Sequence, residues 1–260
     1  MYFMKDANDV ETKNYWLREL LFFALLLNPV FVFSQEAPYS IDTIQIKSGI
    51  LNESRSIIVY KPRHISQSDT VKFMYFLDGE YSGYRFRKIT DQFGDTISDI
   101  IGIGIINTDR RRDMLYVNGA GKFLDFISSE LIPAVEKNYR TRERILFGHS
   151  FAGSFTIYAL LNKPDFFDYF IASSPTPIMA LIKGESFLHV DSLCKEKKVL
   201  CFSYGSNDMG QVRKWAVRLK NNLDGLKFMH FAWYFNEFEG KNHNNSDIPA
   251  LNNGLRICKE

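Results

Sequence analysis

The sequence predicts an α/β fold, a mostly parallel sheet of about eight strands with helices on its faces. Two observations carry this prediction. Nearly continuous apolar runs, such as VKFMYFLDG and IIGIGIIN, are what strands covered on both faces require. Between such runs lie longer segments with apolar residues at helical spacing, so strand and helix alternate along the chain. A chain of 260 residues, 45% hydrophobic and 24% charged, has enough apolar material for one sizeable core of this class.

The first 34 residues stand apart. Arg18 precedes an apolar run from Leu20 to Phe33, which ends at Ser34 before Gln35. A charged start, an apolar middle and a small residue at the end is the pattern of a secretory signal. The run is broken by Asn28 and Pro29 and is shorter than the ~20 residues that comfortably span a bilayer. The expectation is a cleaved signal over 1–34 and an exported, periplasmic or secreted protein. An uncleaved membrane anchor or an amphipathic helix is the alternative.

The remainder, 37–260, reads as one domain without repeats or low-complexity linkers. IDTIQIKSG and RSIIVYKP alternate apolar and polar residues, as two opening strands joined near Asn52 should. VKFMYFLDG and IIGIGIIN follow as buried strands. GKFLDFISSELIPAVEKNY places Phe123, Phe126, Ile127, Leu131 and Val135 on one helical stripe. RILFGHS is the next strand and FAGSFTIYALLNKPDFF the next helix. DYFIASSP, KKVLCFSYGS and MHFAWYF complete the strands, with helices over GQVRKWAVRLKNNL and DIPALNNGLRIC. In a parallel sheet of this kind the chemistry belongs at the carboxyl ends of the strands.

Composition excludes some functions. Lys and Arg total 32 against 30 Asp and Glu, a net charge of +2, and no basic run carries interleaved aromatics; nucleic acid is not expected as a partner. Membrane contact is expected only through an uncleaved N-terminal segment. The three cysteines, Cys194, Cys201 and Cys258, allow at most one internal bridge, and Cys201, in an apolar run, reads as a buried small hydrophobe. No CxxC or His/Cys cluster suggests a metal, and no cofactor is called for. An aromatic content of 15% suits a deep core and an aromatic-lined cleft.

The strand-to-helix junction Gly148-His149-Ser150-Phe151-Ala152 matches G-x-S-x-G with Ala in the last place, the turn that forces a serine hydroxyl outward. Its neighbours must be small, and Gly148 and Ala152 both are. The plainer reading is a turn whose Ser150 caps the helix. A serine nucleophile needs a base and an acid, following it in that fold as acid then histidine. His64 precedes Ser150, His189 and His230 sit among apolar residues, and His149 is expected to point away from the serine. His243, in the polar loop FEGKNHNNSD after the last strand, is the candidate base. Asp208, after KKVLCFSYGS, is the candidate acid, with Asp191 and Glu239 as weaker alternatives and a turn or helix-cap role as the plain one. The oxyanion donors are expected to be the backbone N–H of Phe151 and that of Glu80 (or Tyr81) in LDGEYSGY, where Gly79 lets the chain turn.

MYFLDGEY, GIGIINTDRRRDM, the block from Lys122 to Phe155 and FEGKNHNN together resemble the putative esterase family of α/β hydrolases. That family includes siderophore, feruloyl and acetylxylan esterases, S-formylglutathione hydrolase and the mycolyltransferases. The resemblance covers roughly residues 40 to 250. It implies an α/β-hydrolase fold and a serine carboxylesterase acting on a small-molecule ester, with Ser150 as nucleophile, His243 as base and Asp208 as the matching acid. NTDRRRD looks like a segment of the branch that holds the siderophore esterases, so Arg110 and Arg112 are expected at the cleft with Tyr81 as substrate-binding residues. Arginines there suit an anionic or catecholate-bearing substrate; a buried pairing with Asp109 or Asp113 is the alternative. SSPTPIMA carries Ile178 and Met179 where siderophore esterases tend to have tryptophans, which suits a generic apolar acyl pocket better. An acyltransferase of the same fold and a non-catalytic binding module are the alternative functions.

Overall fold

The computed structural model describes residues 38–115, 119–177 and 183–259. The N-terminal segment 1–34, Ile178 and Met179 lie outside the described residues. Among those described, eight strands form one sheet: β1 (Tyr39–Ser48), β2 (Glu53–Pro62), β3 (Thr70–Phe76), β4 (Ile100–Ile105), β5 (Arg140–His149), β6 (Tyr169–Ser173), β7 (Lys198–Gly205) and β8 (Phe231–Phe238). Their order is β1-β2-β4-β3-β5-β6-β7-β8. The opening hairpin turns at Asn52, which takes the left-handed conformation at φ 54°, a position where Asn tolerates αL better than most residues. β2 pairs antiparallel with β4; from β4 onward every pairing is parallel.

The helices are α1 (Ser82–Phe93), α2 (Arg110–Met114), α3 (Ala120–Phe126), α4 (Ile132–Glu136), α5 (Phe151–Asn162), α6 (Gly184–Leu193), α7 (Gly210–Leu223) and α8 (Asp247–Ile257). A π-helical turn, Ile127–Leu131, joins α3 to α4 without a break in the apolar stripe. The buried side chains divide between the two faces of the sheet. Phe73, Tyr75, Ile101, Ile103 and Leu146 pack on one face, and Met74, Phe76, Ile145 and Phe147 on the other. This period-two division is why the central strands read as unbroken apolar runs. All eight residues of β7 are buried.

Cys194, Cys201 and Cys258 are free and buried. Burial pushes the Cys201 thiol up to about 12, so it behaves as the small hydrophobe expected from its apolar run. No helix among the described residues is long and apolar enough to cross a membrane.

Candidate active site

Ser150 sits between β5 and α5 at φ 62°, ψ −121°, a conformation that L-residues avoid. The surroundings hold it there. Its N–H donates to the Ser173 carbonyl at 2.9 Å. A Cβ on Gly148 would lie 2.1 Å from the Ala152 carbonyl oxygen, so the turn closes only because that residue has none. Ser150 makes no side-chain capping bond to α5, which disposes of the plain helix-cap reading.

Its hydroxyl points instead at His243. Ser150 Oγ lies 2.9 Å from His243 Nε2, and His243 Nδ1 lies 2.9 Å from Asp208 Oδ1. Asp208 is not a helix cap: α7 begins after Met209 without a side-chain cap. Its carboxylate is fully buried and accepts the N–H of Met209 at 2.7 Å and the hydroxyl of Ser174 at 2.5 Å. With Asp208 ionised, Nδ1 carries the proton and Nε2 presents a lone pair to the serine.

The loop bearing His243 rests on the turn after β7. A Cβ on Gly205 would fall 2.2 Å from the Lys241 carbonyl oxygen, and Asn207 N–H donates to that same carbonyl at 2.8 Å. The loop is also tied internally, since Asn242 N–H donates to Asn245 Oδ1 and Asn244 N–H to Asn242 Oδ1. Its asparagines therefore serve as local turn-formers. Ser246 completes a buried chain, its Oγ 2.7 Å from Ser174 Oγ.

The sequence does not single out Ser173, Ser174, Arg85 or Asp247, yet all four support the site. Ser174 adopts φ 43° to aim its hydroxyl at Asp208. Arg85, buried in α1, donates to the Leu77 carbonyl at 3.2 Å and to Asp247 at 3.2 Å, linking the end of β3 to the start of α8. The SSP run after β6 is the available signal for Ser174; Arg85 and Asp247 lie too far apart in sequence to suggest each other.

Three expectations need correction. His149 does not point away: it lines the cleft beside Ser150, its ring centroid 4.9 Å from that of His243. Its Nδ1 lies 3.1 Å from Ser173 Oγ. Burial, with the neighbouring His243, pulls its pKa down to about 4. Arg112 does not reach the cleft. Its guanidinium pairs bidentately with Glu53, at 2.8 and 3.0 Å, and with Asp113 at 2.8 Å, because the first turn of α2 directs it back toward β2. Arg110 does line the cleft, but its partner is Asp78 rather than Asp109 or Asp113. Tyr81 is exposed on the cleft rim, under the Arg85 guanidinium. Its N–H is engaged by the Asp78 carbonyl at 3.0 Å, so of the two expected donors on that turn it is not the free one.

The cleft encloses about 1090 Å³. Among the described residues its lining mixes Asn107, Thr108, Lys241, Asn244, Asn245 and Asn252 with Tyr81, Tyr84, Ile248 and Pro249; the apolar acyl pocket expected from Ile178 and Met179 falls on residues outside those described. No group of described side chains is arranged to hold a metal ion.

Comparison with known proteins bears on the family and the fold. Residues 48–243 match the model of the family described as Putative esterase. Among curated proteins, the chain is 31% identical over 172 residues to a siderophore triacetylfusarinine C esterase of Aspergillus fumigatus, over 55% of this chain and 59% of that one. It is 34% identical over 105 residues to a siderophore enterobactin esterase of Emericella nidulans, over 37% of this chain and 35% of that one. The matched stretches thus span less than two thirds of these relatives. Among solved structures, a BES protein from Bacillus cereus superposes with a TM-score of 0.74 at 23% identity, over 83% of this chain and 93% of that one. An IroE-like serine hydrolase from Shewanella oneidensis gives 0.73 at 21%, over 84% and 79%. With a family match across most of its length and this α/β-hydrolase architecture, the chain belongs to the Putative esterase family.

Proposed function

We propose that the protein is an exported serine esterase that hydrolyses a siderophore-type ester through a Ser150–His243–Asp208 triad and an acyl-enzyme. The observation that carries this reading is the hydrogen-bonded line from a strained serine through His243 to a buried aspartate, with both contacts at 2.9 Å. In that line His243 Nε2 takes the Ser150 proton as Oγ bonds to the ester carbonyl carbon. The oxyanion accepts the N–H groups of Phe151 and Glu80. His243 then returns the proton to the departing alcohol, and water repeats the sequence on the acyl-enzyme.

The substrate class rests on two supports. The curated relatives named above are siderophore esterases, and a cleft of about 1090 Å³ that mixes asparagine amides with Tyr81, Tyr84, Ile248 and Pro249 has room for a large ester carrying both polar and aromatic groups. The N-terminal pattern supports export.

A fluorophosphonate probe and a panel of p-nitrophenyl, feruloyl and trilactone siderophore esters test the proposal. Labelling that disappears in Ser150→Ala, with turnover of siderophore esters above the simple ones, is expected. Absence of labelling in the intact protein overturns the enzyme reading in favour of a binding module. Diversion of product to a new ester by added alcohol overturns hydrolysis in favour of acyl transfer.

A further inference from the structure

Arg110 occupies a junction. It starts α2, after β4, yet its guanidinium reaches across β3 to the elbow after β5, since the strand order there is β4-β3-β5. Nε donates to Asp78 Oδ1 at 2.6 Å and Nη2 to Asp78 Oδ2 at 2.7 Å. The same Nη2 lies 3.3 Å from the His149 carbonyl oxygen, and the guanidinium carbon stands 5.2 Å from the centre of the Phe151 ring. Asp78 is 4% exposed and held at φ 53°, ψ 60°, left-handed, immediately before the Gly79–Tyr81 turn. Asn107 Nδ2 adds a third bond to it at 2.9 Å.

The two ends of this clamp are the two chain segments that offer oxyanion donors: the turn carrying Glu80 N–H and the elbow carrying Phe151 N–H. Aspartate is among the residues that tolerate the left-handed region, and a carboxylate with both oxygens facing one way is matched best by the planar fork of a guanidinium.

We infer that Arg110 is a positioning residue that locks the two oxyanion-donor segments in register through Asp78 and the His149 carbonyl, and is not the receptor for an anionic group on the substrate. The inference rests on the esterase reading above. It also accounts for why the guanidinium is matched to an internal carboxylate before any substrate arrives.

The test uses the full-length protein with two p-nitrophenyl esters of similar size, one neutral and one bearing a carboxylate, and phenylboronic acid as a tetrahedral mimic. Arg110→Lys keeps the charge but cannot span both partners. We expect kcat to fall roughly 10- to 100-fold, the scale of a small misplacement of catalytic groups. KM should stay within about twofold for both esters, and phenylboronic acid affinity should fall with kcat. Asp78→Asn should reproduce this from the other side of the clamp, and the double variant should be no worse than either single one. A KM increase confined to the carboxylate ester, with kcat retained, overturns the inference, as does wild-type behaviour of both single variants. If Arg110→Lys does not fold, Asp78→Asn alone decides by the same readings. Failure of the unmodified protein to label with fluorophosphonate or cleave either ester defeats the esterase reading itself, a result distinct from these.

Discussion

Two of the aspartates buried beyond this sheet's carboxyl edge, Asp113 and Asp208, differ in what their partners can do. Asp113, 1% exposed, meets Arg55 Nη2 at 2.5 Å and Arg112 Nε at 2.8 Å; Arg55 itself is wholly buried beside Glu53. Asp208 meets two neutral donors and one imidazole. The arginine cluster is electrically closed, because guanidinium groups keep their protons under all ordinary conditions. The Asp208 line is open: it ends on a titratable ring and then on a hydroxyl that faces the cleft. Burial of a carboxylate does not therefore mark a reactive site. The mark is a buried acid connected to a group that can exchange a proton with something outside.

The contrast yields opposite outcomes for similar substitutions. On the proposed mechanism Ser150→Ala removes the attacking atom, and kcat on any cleaved ester should fall by about 10⁴-fold or more, with the melting temperature nearly unchanged. Asp208→Asn should cost about 10³–10⁴ in kcat by releasing the His243 tautomer, again with little loss of stability. Full activity in Asp208→Asn would erase the distinction between the two regions. Asp113→Asn should do the reverse. It removes one of the two carboxylates beside the buried Arg55 cation and leaves Glu53 alone to offset it; breaking a buried pair typically costs up to about 3–5 kcal/mol. The melting temperature should drop by about 10 °C for a domain of this size, while kcat per folded molecule stays at the wild-type value. Calorimetry beside active-site titration separates the two.

The reactive region was more legible in sequence than the closed one, for a physical reason. The elbow needs small residues at fixed offsets from a serine, and that requirement is written locally as Gly148 and Ala152. Asp208 and His243 follow from chain order and from sitting in polar loops after apolar strands. Arg55 has no such context: it stands in an ordinary alternating strand, and its partner Asp113 is 58 residues away. Arg112 misled because its motif sets it beside Arg110, while one residue pair's difference in helical phase sends the two guanidiniums to opposite sides. The same limit hid α1, α2 and α6. The buried face of α1 includes Ser82 and Arg85 beside Phe86 and Ile89, and that of α6 offers only Phe187 and Val190, too few apolar positions to show a stripe.

Acid should separate the regions along the pH axis. In the cleft, the His149 pKa is drawn from its ordinary 6.5 to about 4, by burial and by its neighbour His243. Between those values the unfolded chain holds a proton that the folded one refuses, so stability is complete above 6.5 and is lost as pH falls toward 4. His149→Asn should flatten urea midpoints over that interval and leave lower pH unaffected.

In the arginine cluster, the Glu53 pKa is lowered from 4.5 to about 2, first by its hydrogen bonds from Arg112. The sign is the same but the interval is lower. Glu53 contributes its full stabilisation above 4.5, where folded and unfolded forms are both ionised, and loses it as pH falls through 2 and the folded carboxylate is protonated too. Its side chain is 24% exposed, so solvent screening reduces the contribution to on the order of 2 kcal/mol, the smallest effect considered. Urea midpoints at pH 7.5, 5.5, 4 and 2.5 for wild type, His149→Asn and Glu53→Gln should show two separable steps. The upper step should vanish in one variant and the lower in the other. A single step lost in both variants would mean that the cleft and the arginine cluster titrate as one unit, and the division between a closed and an open region would fail.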